Sequence, residues 1–173
     1  MRPSLIVGMR ILLAVAFLVA GCTAPAPAPT PTPSAPNDGT PLIDCLAVID
    51  RPTEMTPSME VFLDAVQLPT KVVLQTTPTS TSSQLFAKWG LVIRAGNTVD
   101  LLVSGEDLDH AMIGWSGAPS KPRTHIRAQC PGEGWMAFAG GYWVDSPRCI
   151  TLIIRARGQQ AIAHIAVGAP CRE

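Results

Sequence analysis

No apolar run in this chain is long enough to span a bilayer. The longest, Ile11 to Ala20, is ten residues, which as a helix makes about 15 Å against a hydrocarbon core of about 30 Å. Adding Leu5 to Val7 does not change that conclusion. Charge is also scarce and balanced, with 13 Lys and Arg against 13 Asp and Glu. No basic patch is interleaved with aromatic residues, so nothing here suits nucleic acid. There is no C-x-x-C pair for redox chemistry or zinc, no H-E-x-x-H, no S-x-x-K and no glycine-rich phosphate loop. His110, His125 and His164 share no ligand spacing. Neither a metal nor a cofactor is expected, and no catalytic constellation is visible.

What is present begins at the N-terminus. Arg2 and Arg10 precede the short apolar run, and small residues end it, the pattern of a secretory signal. Leu18-Val19-Ala20-Gly21-Cys22 resembles the bacterial lipobox, which implies cleavage before Cys22 and lipid on that cysteine. Two acyl chains would hold the product on the outer, extracytoplasmic face of the cell membrane. From Cys22 to Gly39 the chain alternates proline with Ala and Thr, favouring an extended polyproline spacer. The reading is therefore a signal over residues 1–21, a lipidated cysteine and linker over 22–39, and one domain over 40–173, long enough for its own core.

Four cysteines follow Cys22: Cys45, Cys130, Cys149 and Cys171. An even number in an exported chain predicts two disulfides. Three connectivities can join them. We favour Cys130–Cys149, closing a local β unit, with Cys45–Cys171 tying the domain's start to its end.

Period-two alternation dominates the domain. Val99, Leu101 and Val103 face one way. Thr124, Ile126, Ala128 and Cys130 take one face of their strand, and His125, Arg127 and Gln129 the other. Glu60 to Leu68 fits a strand or a helix, and strand is preferred. Gly96-Asn97 and Gly158-Gln159 read as hairpin turns. Gly140-Gly141 marks a turn or a bulge. The expected fold is all-β, an Ig-like β-sandwich of about eight to ten short antiparallel strands, with a small β-barrel as the alternative. Trp115 or Trp135 would sit against the Cys130 disulfide.

Leu85-Phe86-Ala87-Lys88, Ile113-Gly114-Trp115 and Phe138 to Val144, followed by Pro147 and Cys149, are similar to a group of uncharacterised actinobacterial lipoproteins over about Leu85 to Cys171. The resemblance implies anchoring and export and carries no activity.

Three functional readings follow. The first is a non-catalytic envelope module binding an envelope protein or a wall polysaccharide. Trp135, Tyr142 and Trp143 are its candidate ligand platform, because aromatic faces stack on the apolar faces of sugars. The second is an extracellular hydrolase. Gly114-Trp115-Ser116-Gly117-Ala118 falls one residue short of G-x-S-x-G, and Ser116, His110 and Asp107 are its least implausible members. The third is a structural accessory subunit without a small ligand. Glu106, Asp107, Asp109 and His110 form an acidic loop, read as solvated because a calcium loop needs more oxygens at set offsets.

Overall fold

Alternating apolar residues need a second layer to cover them, and three sheets supply it. A computed structural model describes residues 38–80, 82–116 and 121–172; the signal, Cys22 and the spacer lie outside the described residues. The strands are β1 (Val48–Asp50), β2 (Glu60–Phe62), β3 (Val66–Leu68), β4 (Val73–Leu74), β5 (Thr77–Pro78), β6 (Leu85–Lys88) and β7 (Leu91–Arg94). After them come β8 (Thr98–Val103), β9 (Ala111–Trp115), β10 (His125–Gln129), β11 (Trp135–Phe138), β12 (Gly140–Val144), β13 (Arg148–Ala156) and β14 (Gln159–Val167). Sheet I has the order β1-β11-β7-β3-β2, sheet II β10-β8-β13-β14-β4, and sheet III β5-β6-β12-β9. All strand pairs are antiparallel except β14 with β4. This is an all-β sandwich, and the described strands form no closed barrel.

Sheets I and III continue one register across a break. Trp135 pairs with Arg94 and Phe138 with Leu91 in sheet I; Gly141 pairs with Lys88 and Val144 with Leu85 in sheet III, all in the same register. Trp89 bridges the break by donating its amide to the Gly140 carbonyl at 2.9 Å. Gly140 and Gly141 sit just past that break. A methyl group at Gly140 would meet the Gly114 carbonyl and the Trp115 ring, and one at Gly141 would meet the Ala87 carbonyl. The pair is thus neither a turn nor a bulge. It is where neighbouring backbones approach too closely for a side chain.

One core serves all three sheets. Ile93 and Phe138 of sheet I, Leu101, Leu152 and Ile154 of sheet II, and Ala87, Ile113 and Tyr142 of sheet III are all essentially inaccessible to solvent. Val99, Leu101 and Val103 point inward as the alternation requires, as do Ile126, Ala128 and Cys130.

Two predicted connections differ. Glu60 to Leu68 is neither one strand nor a helix but a tight hairpin, β2 against β3, with Ala65 N–H donating to Phe62 C=O at 3.0 Å. Its central residues, Leu63 and Asp64, both have positive φ, at 52° and 51°, a conformation usually left to Gly or Asn. The Gly96-Asn97 turn joins strands of different sheets, because β7 pairs with β11 and β3 while β8 pairs with β10 and β13. It is a corner, not a hairpin. The last hairpin is as expected but centred one residue earlier, on Arg157-Gly158, with Ala156 facing Gln159.

The disulfide pairing also needs correcting: the bonds are Cys45–Cys130 and Cys149–Cys171. The chain over 38–45 lies as a strap along β10. Arg127 N–H donates to Pro41 C=O at 2.9 Å, and Ile43 N–H donates to Arg127 C=O at 2.8 Å. That alignment carries Cys45 to the end of β10, where Cys130 stands. Cys149 pairs with Ala166 across β13 and β14, and the chain turns back at Gly168 to bring Cys171 to it. Cys130 and Cys149 lie toward opposite ends of sheet II: Gln129 is level with Thr98, whereas Leu152 is already level with Val103. Extending those registers puts Cys130 level with position 97 and Cys149 level with position 106, about nine residues of strand rise or roughly 30 Å, so no bond could form.

Candidate functional site

On sheet III the alternation that sends Ala87, Tyr142 and Ile113 into the core sends their neighbours outward. Register then aligns Thr77, Phe86, Trp143 and Met112 as one row across all four strands. The Phe86 and Trp143 rings pack with centroids 4.5 Å apart, tilted by 36°. Beside them is a groove of about 380 Å³, lined by Val72, Val73, Leu74, Phe86, Lys88 and Trp89 among others. The groove sits where the segment through β4 and β5 crosses from the edge of sheet II to the edge of sheet III. Pro78 is tolerated there because an edge strand has one side without ladder bonds.

Trp89 is fixed from two directions. Its amide is held by Gly140, and its carbonyl accepts from the Trp115 indole N–H at 2.8 Å. Its ring is half-buried, packing partly against the core while it lines the groove next to Lys88, whose side chain is exposed. Among the described residues no carboxylate lines the groove. The arrangement offers flat apolar faces, a cation and a few amide and hydroxyl groups. That is the equipment of a binding surface.

The sequence-predicted platform is not assembled as one surface. Trp143 is on the outer row and half-buried. Tyr142, its neighbour, points the opposite way and is fully buried, edge-on to Trp115 at 5.3 Å. It can touch no external ligand. Its hydroxyl has no hydrogen-bond partner among the described residues, and burial pushes the phenol's pKa well up. Trp135 belongs to sheet I, with the Arg94 guanidinium 5.9 Å from its ring. Arg94 also pairs with Asp64, as does Arg157 at 2.9 Å. Trp89 replaces both in the groove. The signal for it lay in Leu85-Phe86-Ala87-Lys88-Trp89, where Phe86 and Lys88 alternate outward and a second aromatic follows.

Ser116, His110 and Asp107 do not converge. His110 precedes β9 and Ser116 follows it, so strand rise sets them roughly 20 Å apart. His110 instead bonds Asp145 through Nδ1 at 2.7 Å. That bond, with help from Ser146 and Arg148, holds the Asp145 carboxyl below its usual range. Asp107 is turned inward and accepts the Thr151 amide at 2.8 Å. The acidic loop over 105–110 therefore does not gather its carboxylates, and no cluster of three or more metal-ligating side chains occurs among the described residues. The second half of the G-x-S-x-G near match lies outside the described residues.

No protein-family model matches the chain, and no curated protein shows significant similarity to it.

Proposed function

We propose that this chain is a lipid-anchored extracytoplasmic binding module, non-catalytic, whose ligand is a glycan polymer of the cell envelope. The observation that carries the reading is the Phe86–Trp143 pair beside the Trp89 groove on one rigid sheet face. Stacked aromatic faces next to hydrogen-bonding groups suit the alternating apolar and hydroxyl faces of a sugar chain. A groove open at the surface suits a polymer better than an enclosed pocket would. The lipobox at Cys22 and the proline-rich spacer support an anchored position from which a wall polymer is within reach.

Tryptophan emission tests the reading directly, because two of the chain's four tryptophans face the site. Titration with soluble wall polysaccharide fragments should shift the emission saturably. Trp89→Ala and Trp143→Ala should each weaken binding by about tenfold, the loss of one stacking contact and its buried area. Unchanged emission across a panel of envelope glycans would remove the reading.

A protein partner is favoured by a different observation. Leu46, Ile49 and Met55 are exposed at 92%, 64% and 63%, on a segment stapled by Cys45–Cys130. Cross-linking in intact cells, comparing the native chain with Cys22→Ser, separates the two. One protein captured only by the anchored form, with no glycan response, would make protein recognition the main role.

A further inference from the structure

A second, smaller pocket lies away from the aromatic groove, and its chemistry is different. It holds about 220 Å³ between the strap at Ile43 and Asp44, the end of β9 at Trp115 and Ser116, and the approach to β10 at Lys121 and Arg123. We propose that this pocket binds a small oxyanion, a carboxylate or phosphate group, between Lys121, Arg123 and Ser116, with the docked strap as its wall.

Two cations share the pocket and neither has a carboxylate partner within ion-pair distance among the described residues. Among the described residues the Arg123 side chain bonds the Pro122 carbonyl alone, at 3.1 Å through Nη1. Its other guanidinium donors have no partner among those residues, and that planar fork matches carboxylate and phosphate oxygens. Its backbone is held firmly, exchanging both hydrogen bonds with Ile113 at 2.8 Å. The cation is therefore presented from a fixed point.

Ser116 adds a hydroxyl in an unusual conformation. Its φ is 69°, a region L side chains avoid and which strained functional positions use. Its amide donates to Ala139 at 3.1 Å, and its Oγ accepts the Asp44 amide at 2.8 Å, 72 positions away. With Oγ acting as acceptor, the hydroxyl proton has no acceptor among the described residues and is available to a ligand.

One carboxylate also lines the pocket, that of Asp44. Its Oδ1 is engaged by the Leu46 amide at 2.9 Å, capping the short turn over Cys45–Ala47. The pocket's balance remains two cations against one anion. A metal ion would meet two positive charges, and a neutral ligand would leave both unused. The volume admits a headgroup or a small acid and excludes a polymer. Because the strap forms one wall, an anion that binds here also favours the docked strap, in proportion to its occupancy.

The test uses the full chain in detergent, titrated separately with inorganic phosphate and with acetate at constant ionic strength, read by calorimetry and by hydrogen exchange at the Asp44 amide. The expected result is saturable binding of at least one anion with slower exchange at Asp44. Lys121→Gln and Arg123→Gln should each weaken binding by about tenfold, the value of one charge-assisted hydrogen bond, and the double variant should abolish it. Both side chains lie outside the core, so a native near-ultraviolet spectrum is expected for each. Phosphate alone, acetate alone or both would each support the site and identify its ligand. No saturable binding of either anion, or unchanged affinity in the folded double variant, would overturn it. Neither result bears on glycan binding at the aromatic groove.

Discussion

Asp38 and Arg127 stand 89 positions apart and meet in a two-pronged ion pair, with the terminal guanidinium nitrogens at 3.3 and 3.1 Å from the two carboxylate oxygens. The same guanidinium reaches Asp100 through Nε at 2.8 Å, and Asp100 also holds His125 at 2.9 Å. Arg127 thus bonds the strap to the outer face of sheet II. Backbone pairing at Pro41 and Ile43, the Ser116 hydroxyl and the Cys45–Cys130 bond continue the attachment. Asp38 falls within the stretch that composition assigns to the spacer, yet it is fastened to the domain.

That fastening should weaken in acid. Hydrogen bonds from Thr40, and then the Arg127 guanidinium, hold the Asp38 carboxyl at about 2, below its ordinary 3.8. A depressed carboxyl stabilises the attachment in full above its unfolded value and ceases to do so as pH falls through the folded one. The window is therefore about pH 4 down to about pH 2. Exchange at the Ile43 amide should quicken across it, beyond the intrinsic pH dependence. Asp38→Asn should exchange faster at neutral pH and lose that extra acid step. An unaltered pH profile in the variant would mean that the ion pair contributes nothing to docking.

Gly140→Ala and Gly141→Ala should be among the most damaging single changes in the domain. Each added methyl would strike a neighbouring backbone carbonyl rather than a movable side-chain end. The neighbouring strands must separate to admit it, at a cost of about 3 kcal/mol. Thermal unfolding should fall by roughly 10 °C. Gly105→Ala is the control, because its added methyl meets nothing within 4 Å.

Legibility in the sequence follows the range of each interaction. Alternation along β8 and β10 was readable because one buried face dictates it residue by residue. The β2–β3 hairpin was hidden because Leu63-Asp64 lacks Gly or Asn, and tertiary contacts of Asp64 with Arg94 and Arg157 accompany the strained turn. Gly96-Asn97 announced a change of direction but not which strands would pair, since strand choice is decided across the sheet. Cysteine parity foretold two disulfides, yet the partners depend on how the strap aligns with β10. The aromatic surface is half legible. Composition points to Trp143 and Tyr142 alike, whereas adjacent residues of a strand face opposite ways and only Trp143 lies on the outer row.

Removing the Tyr142 hydroxyl should stabilise the protein. The oxygen is buried without a partner among the described residues, whereas in the unfolded chain water satisfies it. Tyr142→Phe keeps the ring against Trp115 and should gain about 1 kcal/mol. The chain has a single tyrosine, so its ionisation can be followed alone by absorbance. Burial raises the folded phenol's pKa above the ordinary value of 10.0. The native protein should therefore show no phenolate as pH passes 10, and it should lose stability above that pH as the unfolded phenol ionises. In Tyr142→Phe that alkaline loss should be smaller. Ordinary titration near 10 in the folded protein would place the hydroxyl in contact with solvent.

The two disulfides should differ in what their removal costs. Cys45–Cys130 closes a loop of 85 positions and Cys149–Cys171 one of 22. Loop entropy in the unfolded chain grows with the logarithm of length, giving about 4.6 kcal/mol for the first and about 3.4 kcal/mol for the second. The Cys45→Ser/Cys130→Ser variant should therefore unfold at lower denaturant than Cys149→Ser/Cys171→Ser. A local effect should sharpen the contrast. Cys45 ends the strap, so its loss should also speed exchange at Ile43 and Asp44, while loss of Cys149–Cys171 should leave those amides protected up to the global limit. Equal midpoints with unequal strap exchange would show that the first bond acts on the folded strap rather than on the unfolded chain. That outcome would assign its role to holding the strap against β10, where Arg127 and Ser116 already grip it.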